Sequence, residues 1–225
     1  MSFYNEWKES IGSEKERQFI RDFLNTINES LETLLSGSKE ELVVAVKVLI
    51  GTPITKFIDE IDSSKNYKAE DIVQFSNFEH AVNNVCTVIE FSDSLLNFND
   101  LGKKIMHSKL VGACKKYGEN HAKLAYEFSF VNLEKKTSTI VTNTSLGSFS
   151  ISLSKDDKYE LIKRLALRNK FISSIIFGAK KDMITYSSFA SKVLSESTVN
   201  RRKSNVKYLV SLILKDNELL MNIVW

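Results

Sequence analysis

The stretch from Leu194 to Leu214 reads LSESTVNRRKSNVKYLVSLIL. At roughly 100° per residue, Val199, Val206, Val210 and Ile213 fall within one narrow arc, with Leu209 at its edge. Ser197, Asn200, Arg201, Ser204 and Tyr208 fall opposite. The spacing therefore predicts an amphipathic helix. Ser195 is expected at its N-cap, its side chain accepting the backbone N–H of Thr198. Arg202 and Lys203 fall nearer the apolar arc. Their stems are expected to lie over the core while their charges reach out from its edges.

The residues before this helix matter as much. Ser187 to Leu194, SSFASKVL, reads as a short helix within Tyr186 to Leu194, with Phe189 and Val193 inward. A turn of about three residues joins the two, which is helix-turn-helix spacing. In that motif the first turns of the second helix enter the major groove of DNA. Here those turns hold Ser197, Thr198, Asn200 and Arg201, whose hydroxyls, amide and guanidinium suit phosphates and base edges. Arg202, Lys203, Lys207 and Lys192 are expected to neutralise phosphates. The terminal NELLMNIVW reads as a strand, in the place of a wing.

Charge distribution points the same way. The net charge is +3 over 225 residues. Residues 180–225 hold eight basic side chains and four acids, a net +4 that leaves −1 elsewhere. An asymmetry of this kind hints at a polyanionic partner. Hydrophobic residues make up 43% and aromatic residues 10%, which supports a real core and argues against disorder. One proline and eight glycines favour a helix-rich chain with few tight turns. No apolar run reaches the roughly 18–20 residues of a membrane span. The start, MSFYNEWKES, lacks the basic and apolar regions of a signal peptide, so a cytoplasmic protein without a membrane partner is expected. Cys86 and Cys114 are read as small buried hydrophobes rather than zinc ligands.

Along the chain, Ser13 to Leu35 reads as one helix, with Ser13 and Glu16 as a capping box and Ser36-Gly37-Ser38 as its end. Ser38 and Glu41 repeat the capping pattern before a core helix from Glu40 to Ile50. Pro53 opens a helix to Ile61, and Asp62 to Asn66 reads as a polar linker. Ala69 to Ile89 reads as two helices, with Ser76 and Glu79 as a capping pair. Leu95 to Phe98 reads as an extended piece that turns at Asn99 into a helix. From Lys123 to Leu153 the period changes to two in YEFSFVNLE, STIVTNT and SFSISLS, with turns at residues 134–136 and 145–147, predicting a small antiparallel sheet. Ser154 restarts helix, and a further helix over residues 171–177 is expected to end near Gly178. No repeat of fixed period is evident.

At Ser195, Glu196, Thr198, Arg201, Arg202, Ser204, Val206 and Leu209, the quoted stretch resembles the end of a winged-helix module that accompanies bacterial restriction-modification enzymes. That family usually has a tryptophan near Tyr208 or Leu209, and this chain has none there. Upstream, ISLSKDDKYELIKRLALRNKFISSIIF is similar to the helix pair before the helix-turn-helix. LNFNDLGKKIM is similar to a strand followed by Thr-x-x-Gly, with Asn99 where threonine is usual. The resemblance covers about half the chain, mostly after Leu95. It implies a tandem winged-helix protein that binds duplex DNA, alone or beside a nuclease or methyltransferase subunit.

An enzyme is not expected. Glu134-Lys135-Lys136 has the Glu-x-Lys form of Mg²⁺ nucleases, with Glu127 as the upstream acid, but it reads more simply as a charged turn. His80, His107 and His121 are isolated from each other and lack ligand spacing. GTPITK at Gly51 is too short for a phosphate loop. The expectation is a mainly α protein with a small antiparallel β element and tandem winged-helix architecture. Its segments are a helical piece over residues 1–37, a helical domain with a hairpin over 38–154 and a C-terminal winged helix over 155–225. It would bind double-stranded DNA without cofactor or metal, through Lys192, Ser197, Thr198, Asn200, Arg201, Arg202, Lys203, Ser204, Lys207 and Tyr208. A homodimer, a transcription regulator and a subunit docking an acidic protein remain open.

Overall fold

The computed structural model describes residues 12–35, 38–106 and 111–225. The stretch MSFYNEWKES, the expected stop at Ser36-Gly37 and His107 lie outside them. Among the described residues the protein is mainly helical with one small antiparallel sheet. No helix among them is long and apolar enough to cross a membrane. The chain divides into two compact units. The first comprises residues 1–27, 44–73 and 159–225, and the second residues 28–43 and 74–158.

In the first unit, α1 (Glu14–Asn25) buries Ile20, Phe23 and Leu24. Ser13 is its N-cap without a side-chain capping bond, and Glu16, the expected box partner, accepts the Gly12 N–H at 2.6 Å and pairs with Lys56 at 2.8 Å. The helix expected over residues 13–35 breaks after Asn25, and α2 (Asn28–Leu35) belongs to the second unit. The unit boundary falls inside α3 (Lys39–Gly51), where Ser38 Oγ accepts the Glu41 N–H as expected. Pro53 caps α4 (Ile54–Asp59), whose Phe57 packs edge-on against Phe23 at 5.7 Å. Later in the chain come α9 (Lys155–Ala166), capped by Ser154, and α10 (Lys170–Lys181), capped by Asn169. Gly178 lies inside α10 rather than at its end. Then follow β4 (Ile184–Thr185), α11 (Tyr186–Ala190), α12 (Glu196–Ile213), a 3-10 turn over Glu218–Asn222 and β5 (Ile223–Val224). β5 pairs with β4 in parallel, so the expected terminal strand exists but forms no hairpin.

In the second unit, the helix over residues 78–90 contains a π turn, His80–Asn84, before α5 (Val85–Glu90). Its start is capped by Asn77, whose Oδ1 accepts the His80 N–H, not by Ser76. The other helix expected after Ala69 is only the 3-10 turn Ala69–Asp71, in the first unit. Next come β1 (Leu96–Asn97), α6 (Phe98–Met106), α7 (Val111–Glu127), β2 (Val131–Lys135), β3 (Thr139–Asn143) and α8 (Ser145–Ser150). The sheet order is β1-β3-β2, antiparallel throughout.

The β prediction holds for residues 131–143 and fails on either side. Residues 126–130 are the end of α7 and a turn at Ser129, whose φ of 55° bends the chain toward β2. Residues 145–150 are helical because Thr144 caps them, accepting the Gly147 N–H at 2.9 Å. The turn of the hairpin sits over residues 136–138, two residues later than expected.

α6 and α7 pack backbone to backbone. A Cβ on Gly102 would lie 1.9 Å from the Cys114 carbonyl oxygen, and one on Gly118 would lie 1.9 Å from the Phe98 carbonyl oxygen. Glycine is required at both, since a methyl group there can be admitted only by separating the helices. Overpacking of this kind costs about 1–3 kcal/mol or more. Gly118→Ala is therefore expected to destabilise the protein by at least that amount in urea unfolding. Lys115→Ala, on the exposed side of the same helix, is expected to stay within about 0.5 kcal/mol of the parent.

Candidate nucleic-acid interface

The two halves of the sequence-predicted motif are joined as follows. Thr185 ends β4 and its Oγ1 accepts the Ser188 N–H, which starts α11. Tyr186 is buried and its hydroxyl donates to the Val199 carbonyl at 3.2 Å, which ties α11 to the first turns of α12. Tyr186 and Ala190 form the buried side of α11, while Phe189 and Val193 are half-buried. α12 buries Val199, Val206, Leu209, Val210 and Ile213, the arc read from the sequence. Ser195 is its N-cap, but the Thr198 N–H goes to the Ser195 carbonyl, and the Ser195 hydroxyl donates to the Thr198 hydroxyl at 3.1 Å.

The outward face carries Ser197, Asn200, Arg201, Ser204, Lys207 and Tyr208, all exposed. Tyr208 is 42% exposed, enough to offer one ring face for stacking. Thr198 and Lys203 are half-buried at its margin. Lys192 is exposed in the turn before α12, its Nζ 4.9 Å from the Phe189 ring centroid. Arg202 departs from the expectation of a charge reaching outward. Its Nη1 donates to the carbonyl oxygens of Ala69 and Ile72, both at 2.6 Å. Burial pulls its pKa below the ordinary value, with the neighbouring Arg201 adding to the effect. The physical reason is position: close to the apolar arc, the guanidinium meets protein carbonyls before it meets solvent.

Among the described residues no ion pair involves Lys192, Arg201, Lys203 or Lys207. Lys192, Arg201, Lys203 and Lys207 are thus cations without a carboxylate against them. Glu196, in the first turn of α12, is the sole acid of that helix.

The sequence reading missed a second basic stretch. Residues 103–136 hold eight lysines and three acids, including α7 and the hairpin. The signal was present as a local repeat: Leu96-Asn97-Phe98-Asn99-Asp100-Leu101-Gly102 parallels Ile184-Thr185-Tyr186-Ser187-Ser188-Phe189-Ala190. In both, a two-residue strand ends in a capping side chain. Asn97 Oδ1 accepts the N–H groups of Asn99 and Asp100 as Thr185 accepts that of Ser188, so Asn97 and not Asn99 takes the threonine's role. Four of its eight lysines are held by carboxylates. Glu119 holds Lys116 at 3.0 Å and Lys123 at 2.6 Å, Asp100 holds Lys103 at 3.7 Å, and Glu134 holds Lys136 at 3.1 Å. The Glu134–Lys136 pair is exposed and Glu127 ends a helix rather than sharing the strand, so the nuclease pattern is not assembled.

Other chemistries gain little. Among the described residues no group of three or more His, Cys, Asp or Glu side chains could hold a metal. Cys86 and Cys114 are buried free thiols, and burial pushes Cys86 up to about 12. An open groove of about 980 Å³ in the second unit is lined by Glu32, Glu90, Lys39, Ser145 and Phe149, among others. Its carboxylates are already used: Glu32 accepts the Leu146 N–H, and Glu90 accepts Asn143 and Ser148.

His80 and His121 are not isolated, as the sequence suggested. Tyr117 stacks on His121 at 3.9 Å, and its hydroxyl lies 2.6 Å from His80 Nδ1. His121 is fully buried, with Nδ1 against the Tyr117 carbonyl and Nε2 accepting the Asn77 N–H. That pairing fixes the neutral ring with its proton on Nδ1. Burial holds its pKa below the ordinary value of 6.5, with nearby His80 adding to the effect, against the Nδ1 bond to the Tyr117 carbonyl. The unfolded chain therefore takes up a proton that the folded chain refuses. This contribution to stability is complete above about pH 6.5 and is lost as pH falls through the folded value. Unfolding free energy is expected to decline below pH 6.5 by up to about 1.4 kcal/mol per pH unit. His121→Gln is expected to be less stable but to lack that component of the slope, as denaturant titrations from pH 5 to 7.5 would measure.

No protein-family model, curated protein or solved structure matches this chain.

Proposed function

We propose that the chain binds double-stranded DNA without catalysis, through the outward face of α12. The observation that carries this reading is the cationic face itself. Lys192, Arg201, Lys203 and Lys207 have no ion pair among the described residues, whereas four of the eight lysines of the other basic stretch do. Unpaired cations beside hydroxyls, an amide and an exposed tyrosine suit a phosphate backbone with base edges within reach.

Topology supports a winged-helix reading. The second unit runs helix, β1, α6, α7 and the β2–β3 hairpin, with β3 central in the sheet. The first unit repeats helix, β4, α11 and α12, and closes with one strand in place of a hairpin. In such an arrangement α12 is the helix offered to the major groove. Asn200 and Arg201 stand nearest the bases, and Arg201 can meet guanine with two hydrogen bonds. A role as a recognition or accessory protein of a restriction-modification or related defence system rests on the resemblance alone, carried chiefly by residues 195–209.

Fluorescence anisotropy with duplex DNA tests the proposal. Four neutralised phosphates give a slope of log affinity against log salt of about −3.6, a loss of roughly 10²-fold between about 50 and 200 mM salt. Lys207→Ala is expected to reduce that slope by about 0.9. Arg201→Ala is expected to cost about 1–3 kcal/mol and to relax base preference at one position. Salt-independent binding, or full affinity in the Arg201→Ala/Lys207→Ala double variant, would remove α12 from the interface.

A further inference from the structure

Residues 65–72, which begin at the end of the stretch read from sequence as a linker and run into one read as helix, form a strap across the helix-turn-helix. Six hydrogen bonds made by four side chains pin residues 65–72 to three successive helices. Ser174 of α10 accepts the Lys65 N–H at 2.9 Å and donates to the Lys65 carbonyl at 3.1 Å. Asn169, the cap of α10, donates to the Asp71 carbonyl at 2.9 Å. The Tyr67 hydroxyl donates to the Phe189 carbonyl of α11 at 2.9 Å. Arg202 of α12 closes the strap on Ala69 and Ile72. Tyr67 also packs edge-on against Phe171 at 5.0 Å.

We infer that Arg202 is a positioning residue for the DNA-contacting face: it fixes the rotation of α12 through the strap and touches no phosphate. The inference rests on the DNA reading above. A helix presented to a groove must hold its side chains to within a fraction of an ångström of their partners. Arg201 and Arg202 are adjacent on one helix yet serve opposite ends of that requirement, one facing outward and one inward. A single nitrogen of Arg202 bridges both carbonyls, so a lysine ammonium is able to replace it, and a methionine is not.

The test compares Arg202→Met, Arg202→Lys and Tyr67→Phe with the parent chain on a duplex of one sequence at several salt concentrations. Stoichiometric titration at low salt counts competent molecules, which separates partial unfolding from weakened binding. Arg202→Met and Tyr67→Phe are expected to raise Kd by about tenfold at full active fraction, with the parent salt slope. Arg202→Lys is expected to stay near the parent. Three results overturn the inference: a slope flattened by about 0.9 in Arg202→Met, which marks a phosphate contact; an unchanged Kd; or a lowered active fraction with the parent Kd, which assigns Arg202 to stability alone. Failure of the parent chain to bind DNA overturns both proposals, and is seen before any variant is compared.

Discussion

Every helix ends in carbonyl oxygens that no further turn can satisfy, and in the first unit cationic side chains take them. Lys180 reaches the carbonyls of Ile58, Asp59 and Ile61 beyond the end of α4. Arg164 holds Ile50 and Thr52 after α3. Arg168 and Lys65 hold Thr26 and Leu24 at the end of α1. Arg202 does the same for the 3-10 turn at Ala69. A cation at such an end meets both the orphan acceptors and the negative pole of the helix, and hydrogen bonds to charged groups contribute about 1.5–3 kcal/mol each. Among the described residues some cations are therefore committed to carbonyls inside the fold and others to carboxylates, while Arg201, Lys203 and Lys207 are left on α12.

That division bears on the functional reading. The excess of charge near the C-terminus treats Lys180, Arg202 and Arg201 alike, although two of them are internally engaged. What remains is a smaller set concentrated on one helix and the turn before it. The paired lysines of α7 provide the contrast. A ring of Glu119 with Lys116 and Lys123 presents a polar but nearly neutral surface, and Gly102 and Gly118 spend the opposite side of α6 and α7 on close packing. Two similar strand-cap-helix devices thus support helices of different electrostatic character.

Much of the fold was legible because it obeys local rules. Apolar spacing located α1, α3, α9 and α12, and Ser38 and Ser154 announced their helices as caps. The hairpin over residues 131–143 followed from its alternation. Failures came where two periods coincide. Tyr126, Phe128 and Phe130 alternate in sequence, yet α7 runs to Glu127 and a left-handed Ser129 turns the chain between the two buried phenylalanines. The alternating serines of residues 148–152 hid a short helix whose cap, Thr144, lies outside the alternation. The outward face of α12 was legible residue by residue, except that helical angle alone cannot say whether a long side chain at the margin turns to solvent or to a carbonyl. Arg202 was misread for that reason, and the strap it holds was invisible because its bonds span more than a hundred residues. His121 and His80 met for the same long-range reason.

The most direct measurement is hydrogen–deuterium exchange of the full chain with and without a short duplex at low salt. The account expects slowed exchange confined to residues 192–208, with the α7 and hairpin region unchanged. Protection centred on residues 112–136, or no protection anywhere, would contradict the claim that the unpaired cationic face of α12 is where this protein meets DNA.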